Sequence, residues 1–279
     1  MQFWKMNGAG NDFLIFNNMK GEIGYEKWPM IAKTLCERRL SVGADGMMVV
    51  DRPEQGADYR MTYYNSDGSL GEMCGNGARC ICRYGFENHL AGERQMIETT
   101  AGRIVGERID KRMYKVLLNA PSLIERKKKA VIDGQEYIYS YVELGDPGLP
   151  HAAVPMKNLK EMPAEKLLAL GRKLRYYKDF PKGANINFYE CMNDGSVYEI
   201  TYERGVEDFT YACGTGTAAV VIDLYLDGKT EGKSTRVGMR GGELFIDIIG
   251  TKASVEQVCL TGLTNIIAKG EIFDEELDL

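Results

Sequence analysis

Short alternating runs of apolar and polar residues recur along most of the chain, and their period of two is that of half-buried strands. The pattern predicts strands over 12–17 (DFLIFN), 46–51, 59–64, 96–100, 103–109, 113–119, 136–144, 185–191, 198–203, 235–239, 243–248 and 253–259. Helical spacing enters near 25–40 and 163–174, and again after two glycine-rich turns, at ARCICRYGFENHL and TAAVVIDLYLDG. The second of these is apolar nearly all round at its start, which predicts a helix at the centre of its lobe. The first is more mixed, with Arg79 and Arg83. Gly92 and Gly228 are the expected helix stops. Strands interleaved with a few helices give an α/β class with mixed sheets.

The two glycine-rich turns belong to an internal repeat. Residues 56–77 read GADYRMTYYNSDGSLGEMCGNG, and residues 195–216 read GSVYEITYERGVEDFTYACGTG. At a constant offset of 139, seven of 22 positions are identical: Gly56/Gly195, Tyr59/Tyr198, Thr62/Thr201, Tyr63/Tyr202, Cys74/Cys213, Gly75/Gly214 and Gly77/Gly216. The offset is half the chain, so two pseudo-symmetric lobes are expected, 1–119 and 120–264, with 265–279 completing the first. The stretch around Pro121 reads as the crossing between lobes. The basic run Arg126–Lys129 reads as a solvated loop.

Composition narrows the field. Of 279 residues, 44% are hydrophobic and 27% charged, which suits a packed core and excludes a disordered chain. A net charge of −5 argues against a nucleic-acid partner, and no apolar run approaches the ~18 residues of a membrane span. With no signal-peptide pattern at MQFWKMNGAGND, a soluble cytoplasmic protein is expected. Seven cysteines do not suggest a secreted disulfide framework. Cys36, Cys191 and Cys259 read as small buried side chains. The spacing of Cys74, Cys80 and Cys82 lacks the C-x2-C knuckle of zinc sites, so no metal is expected.

A cysteine placed just before a helix start is chemically distinct, because the free N–H groups and helix dipole favour an anion there. The glycines that follow let a ligand approach those N–H groups, so each C-G-x-G is a thiol site beside a carboxylate cradle. Two such sites suit one reaction: a thiolate takes a proton from one face of a carbon and a thiol returns one to the other. The negative charge formed next to a carboxylate is stabilised by the helix N–H groups. Cofactor-free racemisation or epimerisation of an α-amino acid is the expected chemistry.

The blocks MNGAGNDFLIF, VGADG, NSDGSLGEMCGNGARC, GLPHAAV, GANINF and YERGVEDFTYACGTGTAA, in that order over the full length, resemble the signatures of diaminopimelate epimerase. The resemblance implies two similar α/β lobes, each a curved mixed sheet around a central helix, with the site in the cleft between them. It implies interconversion of LL- and meso-diaminopimelate without pyridoxal phosphate, with no cofactor, on a small amino-acid substrate, in lysine and peptidoglycan synthesis. A homodimer is implied by resemblance alone. Carried over residue by residue, Cys74 and Cys213 are the acid/base thiols. Gly75, Asn76, Gly214 and Thr215 cradle the reacting carboxylate. Asn11, Asn65, Asn185, Glu203 and Arg204 hold the remaining amino and carboxylate groups, and His151 with Glu203 tunes the cysteines. On their own residues the readings stay plainer: Asn11 and Asn65 as turn residues, Glu203–Arg204 as a surface ion pair, His151 as a solvated loop side chain.

Three positions depart from the family pattern: Gly46, Leu149 in place of an asparagine, and Phe209 in place of an acidic residue. Leu149 loses a hydrogen bond worth on the order of 1 kcal/mol to a polar distal group. A racemase of lysine, ornithine or histidine is therefore the alternative. A thiol–disulfide oxidoreductase lacks C-x-x-C, and a non-catalytic amino-acid-binding protein has no use for two thiols.

Overall fold

The computed structural model describes residues 1–71, 74–273 and 277. Glu72 and Met73 of the first cysteine block, and 274–276, 278 and 279 of the terminal segment, lie outside the described residues. The chain divides into unit 1, Met1–Val116 with Thr261–Leu279, and unit 2, Leu117–Leu260. In chain order the elements are β1 (Gln2–Gly8), β2 (Asn11–Asn17), α1 (Trp28–Cys36), β3 (Gly46–Asp51), β4 (Tyr59–Asn65), β5 (Leu70–Gly71), α2 (Gly75–Glu87), β6 (Arg94–Thr99), β7 (Gly102–Arg108) and β8 (Met113–Leu118). There follow β9 (Pro121–Ile132), β10 (Gln135–Leu144), β11 (Leu149–Pro155), α3 (Ala164–Arg175), β12 (Asn185–Cys191), β13 (Val197–Glu203), β14 (Asp208–Phe209), α4 (Gly214–Leu226), β15 (Thr235–Met239), β16 (Gly242–Thr251), β17 (Ser254–Leu263) and β18 (Asn265–Glu271). No helix among the described residues is long and apolar enough to cross a membrane.

Both units repeat one mixed-sheet topology. In unit 1, β18, β1 and β2 run antiparallel in turn, β2–β3 and β4–β6 are parallel, and β3–β4 and β6–β7 antiparallel. Unit 2 matches it with β9, β10 and β11 antiparallel in turn, β11–β12 and β13–β15 parallel, and β12–β13 and β15–β16 antiparallel. Strand alternation feeds two faces in each unit. Leu14 and Phe16 of β2, with Met47, Val49 and Tyr64, pack on Trp28, Ile31, Ala32 and Leu35 of α1. Ala152, Val154, Ile186, Phe188 and Tyr202 pack the same way on Leu167, Leu170 and Leu174 of α3. The cysteine-headed helices are buried: α2 hides Ala78, Cys80, Ile81 and Cys82, and α4 hides every residue from Gly216 to Leu224.

The repeat carries one slip that identity counting conceals. Gly75–Glu87 and Gly214–Leu226 lie 139 apart at both ends. Strand pairing, however, matches Val50↔Met61 to Tyr189↔Glu199 and Tyr59↔Ile97 to Val197↔Val237, so β4 and β13 correspond at an offset of 138. The extra residue of unit 2 sits between strand and cysteine. Tyr59, Thr62 and Tyr63 are consequently not the structural counterparts of Tyr198, Thr201 and Tyr202.

Four segments differ from the sequence expectation. The run Arg126–Lys129 lies in β9, not in a loop. Its charges are paired, Arg126 and Lys127 with Asp227, Lys128 with Glu125 and Lys129 with Glu136, as suits an exposed strand rich in charge. His151 lies in β11 and is fully buried, because the strand pairs on both sides, with β10 and β12. The end of α2 is set by His89, which takes the left-handed conformation (φ 57°), and not by Gly92. Cys36 and Cys259 are buried as expected, but Cys191, the last residue of β12, is exposed.

Candidate active site

In unit 2, Cys213 heads α4 with extended backbone (φ −129°, ψ 102°), and the helix begins at Gly214. Its sulfur lies 3.6 Å from Thr215 Oγ1 and accepts from the Gly216 N–H. Gly216 is required here, since a Cβ would overlap Asn187 Oδ1 and lie 3.3 Å from the cysteine sulfur. These donors favour a thiolate, yet Cys213 is only 8% exposed. Burial first, and the negative charge of Glu203 second, drive its thiol well above its ordinary pKa. Cys213 is therefore held as the neutral thiol. The expected lowering by the helix start is outweighed at this position by desolvation.

The β11, β12 and β13 strands carry polar side chains to the same region. Burial, then the Arg204 charge, pushes His151 down to about 3, so its imidazole is neutral. Asn185 is nearly buried: its Nδ2 donates to the Pro150 carbonyl at 3.1 Å, and its Oδ1 accepts the Arg204 N–H at 2.8 Å. The amide thus fixes the backbone from which the Arg204 guanidinium projects, and Nη1 of that group donates to the Lys182 carbonyl at 3.3 Å. Phe209 packs its ring edge-on against Tyr202, 6.2 Å between centroids.

In unit 1, Cys74 heads α2 with the same extended backbone (φ −118°, ψ 120°) and is partly exposed. Arg79, fully buried in this helix, donates to the Gly75 carbonyl at 3.3 Å and to Asn76 Oδ1 at 2.9 Å. Asn76 in turn donates to Asn11 Oδ1 at 2.6 Å, and Asn11 donates to Asp45 Oδ2 at 3.2 Å. Beyond Asp45, Arg38 binds both Asp45 and Asp12, and Lys5 pairs with Asp12 at 3.1 Å. These partners hold Asp12 below the usual carboxylate range against the opposing effect of burial. Arg79 forms no ion pair among the described residues, and Cys74 is among the thiols that feel its charge.

Asn65, at the end of β4 opposite Gly46, makes its side-chain hydrogen bond within its own turn. Its Nδ2 donates to Ser69 Oγ at 2.9 Å, and Asp67 accepts from the Ser69 N–H at 2.8 Å. Gly68 closes the turn with φ 87°, and a Cβ there would overlap the Pro29 carbonyl oxygen of α1. Gly68→Ala is expected to cost about 1–3 kcal/mol through strain and overlap, read as a lower urea midpoint with unchanged slope. Gly46 also has no room for a side chain, because the Tyr63 ring occupies the space.

Unit 2 thus gathers His151, Asn185, Glu203, Arg204, Cys213, Gly214 and Thr215, and unit 1 gathers Asn11, Cys74, Gly75 and Asn76. Sequence reading gives no site role to Arg79, Asn187, Glu199, Thr201 or Thr217. The alternation VYEITYE places Glu199, Thr201 and Glu203 on one strand face, which was the available signal.

The family model described as diaminopimelate epimerase matches residues 3–123 and 145–264. The chain is 35% identical over 288 residues to the diaminopimelate epimerase of Aquifex aeolicus, covering 100% of both chains. It is 39% identical over 255 residues to that of Archaeoglobus fulgidus, covering 88% of this chain and 89% of the relative. Among solved structures, a phenazine biosynthesis protein from Bacillus anthracis shares the fold with a TM-score of 0.73 at 15% identity, covering 98% of each chain. Matched along nearly its whole length, with a cysteine at the head of one helix in each repeat, the chain belongs to the diaminopimelate epimerase family.

Proposed function

We propose that the chain interconverts LL- and meso-2,6-diaminopimelate without a cofactor, through a thiolate and a thiol acting on opposite faces of one α-carbon, in lysine and peptidoglycan biosynthesis. The observation that carries this reading is the pair of cysteines, Cys74 and Cys213, each at the N-cap of a glycine-started helix in a repeated fold of this family.

Cys74 takes the α-proton as thiolate in one direction, breaking the C–H bond and leaving the electron pair delocalised into the carboxylate. Cys213 delivers its proton to the opposite face, and the two exchange roles in reverse. The raised pKa of the Cys213 thiol and the charge of Arg79, which forms no ion pair among the described residues and acts on Cys74, support this division. N–H groups at Gly75, Asn76, Gly214 and Thr215 stabilise the charge that develops on the carboxylate oxygens. Arg204 takes the distal carboxylate, Glu203 an ammonium, and Asn11, Asn65 and Asn185 complete the polar contacts.

One specific observation favours a second reading, a racemase of lysine, ornithine or histidine: Leu149 offers no hydrogen bond to a distal carboxylate. Chiral chromatography after incubating reduced protein, with no added pyridoxal phosphate, with the LL isomer of diaminopimelate or with L-lysine, L-ornithine or L-histidine separates the two. Turnover of diaminopimelate alone supports the first reading, and preference for another amino acid replaces it.

A further inference from the structure

The two cysteine-headed helices rest on opposite kinds of surface. At equivalent register positions, α2 has Phe13, Met48, Met61 and Tyr63, whereas α4 has His151, Asn187, Glu199 and Thr201. All four residues of the unit 2 set are buried, at 0–3% exposure. Such polar groups persist in a core only when their donors and acceptors match, so their hydrogens can be counted.

Asn187 Nδ2 lies 3.4 Å from the Asn185 carbonyl, which only accepts, so the NH2 group faces that way and also donates to His151 Nδ1 at 3.3 Å. His151 therefore carries its single proton on Nε2, which has no partner among the described residues. Asn187 Oδ1 must then accept from Thr201 Oγ1, at 3.1 Å. Thr201 has one hydrogen and has used it, so its 3.3 Å contact with Glu199 Oε1 is a bond only if Glu199 donates. Thr217 Oγ1 lies 2.7 Å from the other carboxyl oxygen, Oε2, and 2.9 Å from the Cys213 carbonyl; because the Thr217 N–H already serves that carbonyl, the hydroxyl hydrogen is assigned to the shorter contact with Oε2. One proton on Glu199 satisfies every atom in the set except His151 Nε2. An ionised Glu199 leaves two lone pairs facing each other.

We infer that Glu199 is a positioning residue that is protonated in the resting site, whose hydrogen starts a one-way relay through Thr201 and Asn187 that fixes His151 as the Nε2–H tautomer beside the Cys213 helix. The inference rests on the reading of this site as the amino-acid epimerase centre. It gives His151 the part of a neutral donor toward substrate or thiolate and denies it that of a base. Around Glu199, the titratable groups are Tyr189 across the strand pair, Cys213 and Asp223 on α4, His151 on β11 and Glu203 on its own strand; β15 pairs with β13 through Val197 and Tyr198. Glu199 joins no ion pair among the described residues, and burial pushes its carboxyl up to about 7, with Thr217 and Thr201 opposing. Linkage fixes the sign: the native state holds this proton between the ordinary glutamate pKa and about 7, so the native form loses stability as pH rises through that window.

The test is the tautomer itself. The chain has two histidines, so 15N-histidine-labelled protein gives two ring spin systems, assigned with His89→Gln. Wild type and Glu199→Gln are expected to show His151 neutral and protonated on Nε2 at pH 6, because the amide NH2 donates to Thr201 as the acid does. Glu199→Gln should also keep kcat and KM within about threefold at pH 7, and its thermal midpoint should fall less than that of wild type between pH 5 and 8. Asn187→Asp, whose acceptor faces Nδ1, should move the proton to Nδ1. A wild-type Nδ1–H or charged His151, or a folded Glu199→Gln in which the tautomer has changed, overturns the relay. The spectra need no turnover, so a fixed tautomer in a protein inactive on diaminopimelate refutes the proposed substrate and leaves the relay standing.

Discussion

Cys74→Ser and Cys213→Ser are each expected to lower the rate of diaminopimelate inversion by about 10²–10⁴-fold, the range that a positioned acid or base contributes. A serine hydroxyl is too weak an acid to donate at the rate of the Cys213 thiol and too rarely ionised to replace a Cys74 thiolate. The environments of the two sulfurs sharpen the expectation. Cys213 is desolvated and faces the charge of Glu203, whereas Cys74 is partly exposed and lies within the field of Arg79. Alkylation by iodoacetamide, followed by mass spectrometry of the modified peptides, should label Cys74 ahead of Cys213 at pH 7. Equal turnover in either serine variant contradicts a two-thiol reaction.

Trp28→Ala should give the largest loss of stability, about 3–5 kcal/mol, seen as a melting temperature lower by roughly 10 °C. The indole is 1% exposed at the start of α1, with its ring 6.0 Å from Phe16, and its N–H has no acceptor among the described residues. The loss is therefore one of packing, and Trp28→Phe should recover most of it. The change reaches the site by a definite route, because the Pro29 carbonyl of the same helix lies against Gly68 in the turn that carries Asn65. A Trp28→Ala protein that melts within 2 °C of wild type, on the order of 1 kcal/mol, would remove this helix from the account of the core.

Much of this fold was legible because its signals are local. Strand β3, all six residues buried, and helix α4, apolar on every side at its start, declare themselves by run and period. What escaped depends on contacts distant in sequence. Pro150 gives β11 the look of a loop, and only its pairing with β10 and β12 buries His151. The slip between β4 and β13 is invisible to an ungapped comparison, because matched tyrosines and threonines fall on opposite faces. At the candidate site, the cysteines and glycines stood out as a repeated pattern of chemistry. Glu199 and Arg79 did not, since a charged residue in a strand or helix reads as solvent-facing until the fold shows it buried with no opposite charge among the described residues. The same holds for Gly46, whose missing side chain is explained only by the Tyr63 ring that fills its place.

The central claim, proton transfer between opposite faces of one carbon by two separate thiols, is tested most directly by turnover of LL-diaminopimelate in deuterated water, followed by NMR and mass spectrometry at low conversion. The account predicts meso product carrying one solvent deuteron at the inverted carbon, while remaining LL substrate stays unlabelled. Product that retains the original proton, or substrate that gains deuterium faster than product forms, would place one base on both faces and contradict it.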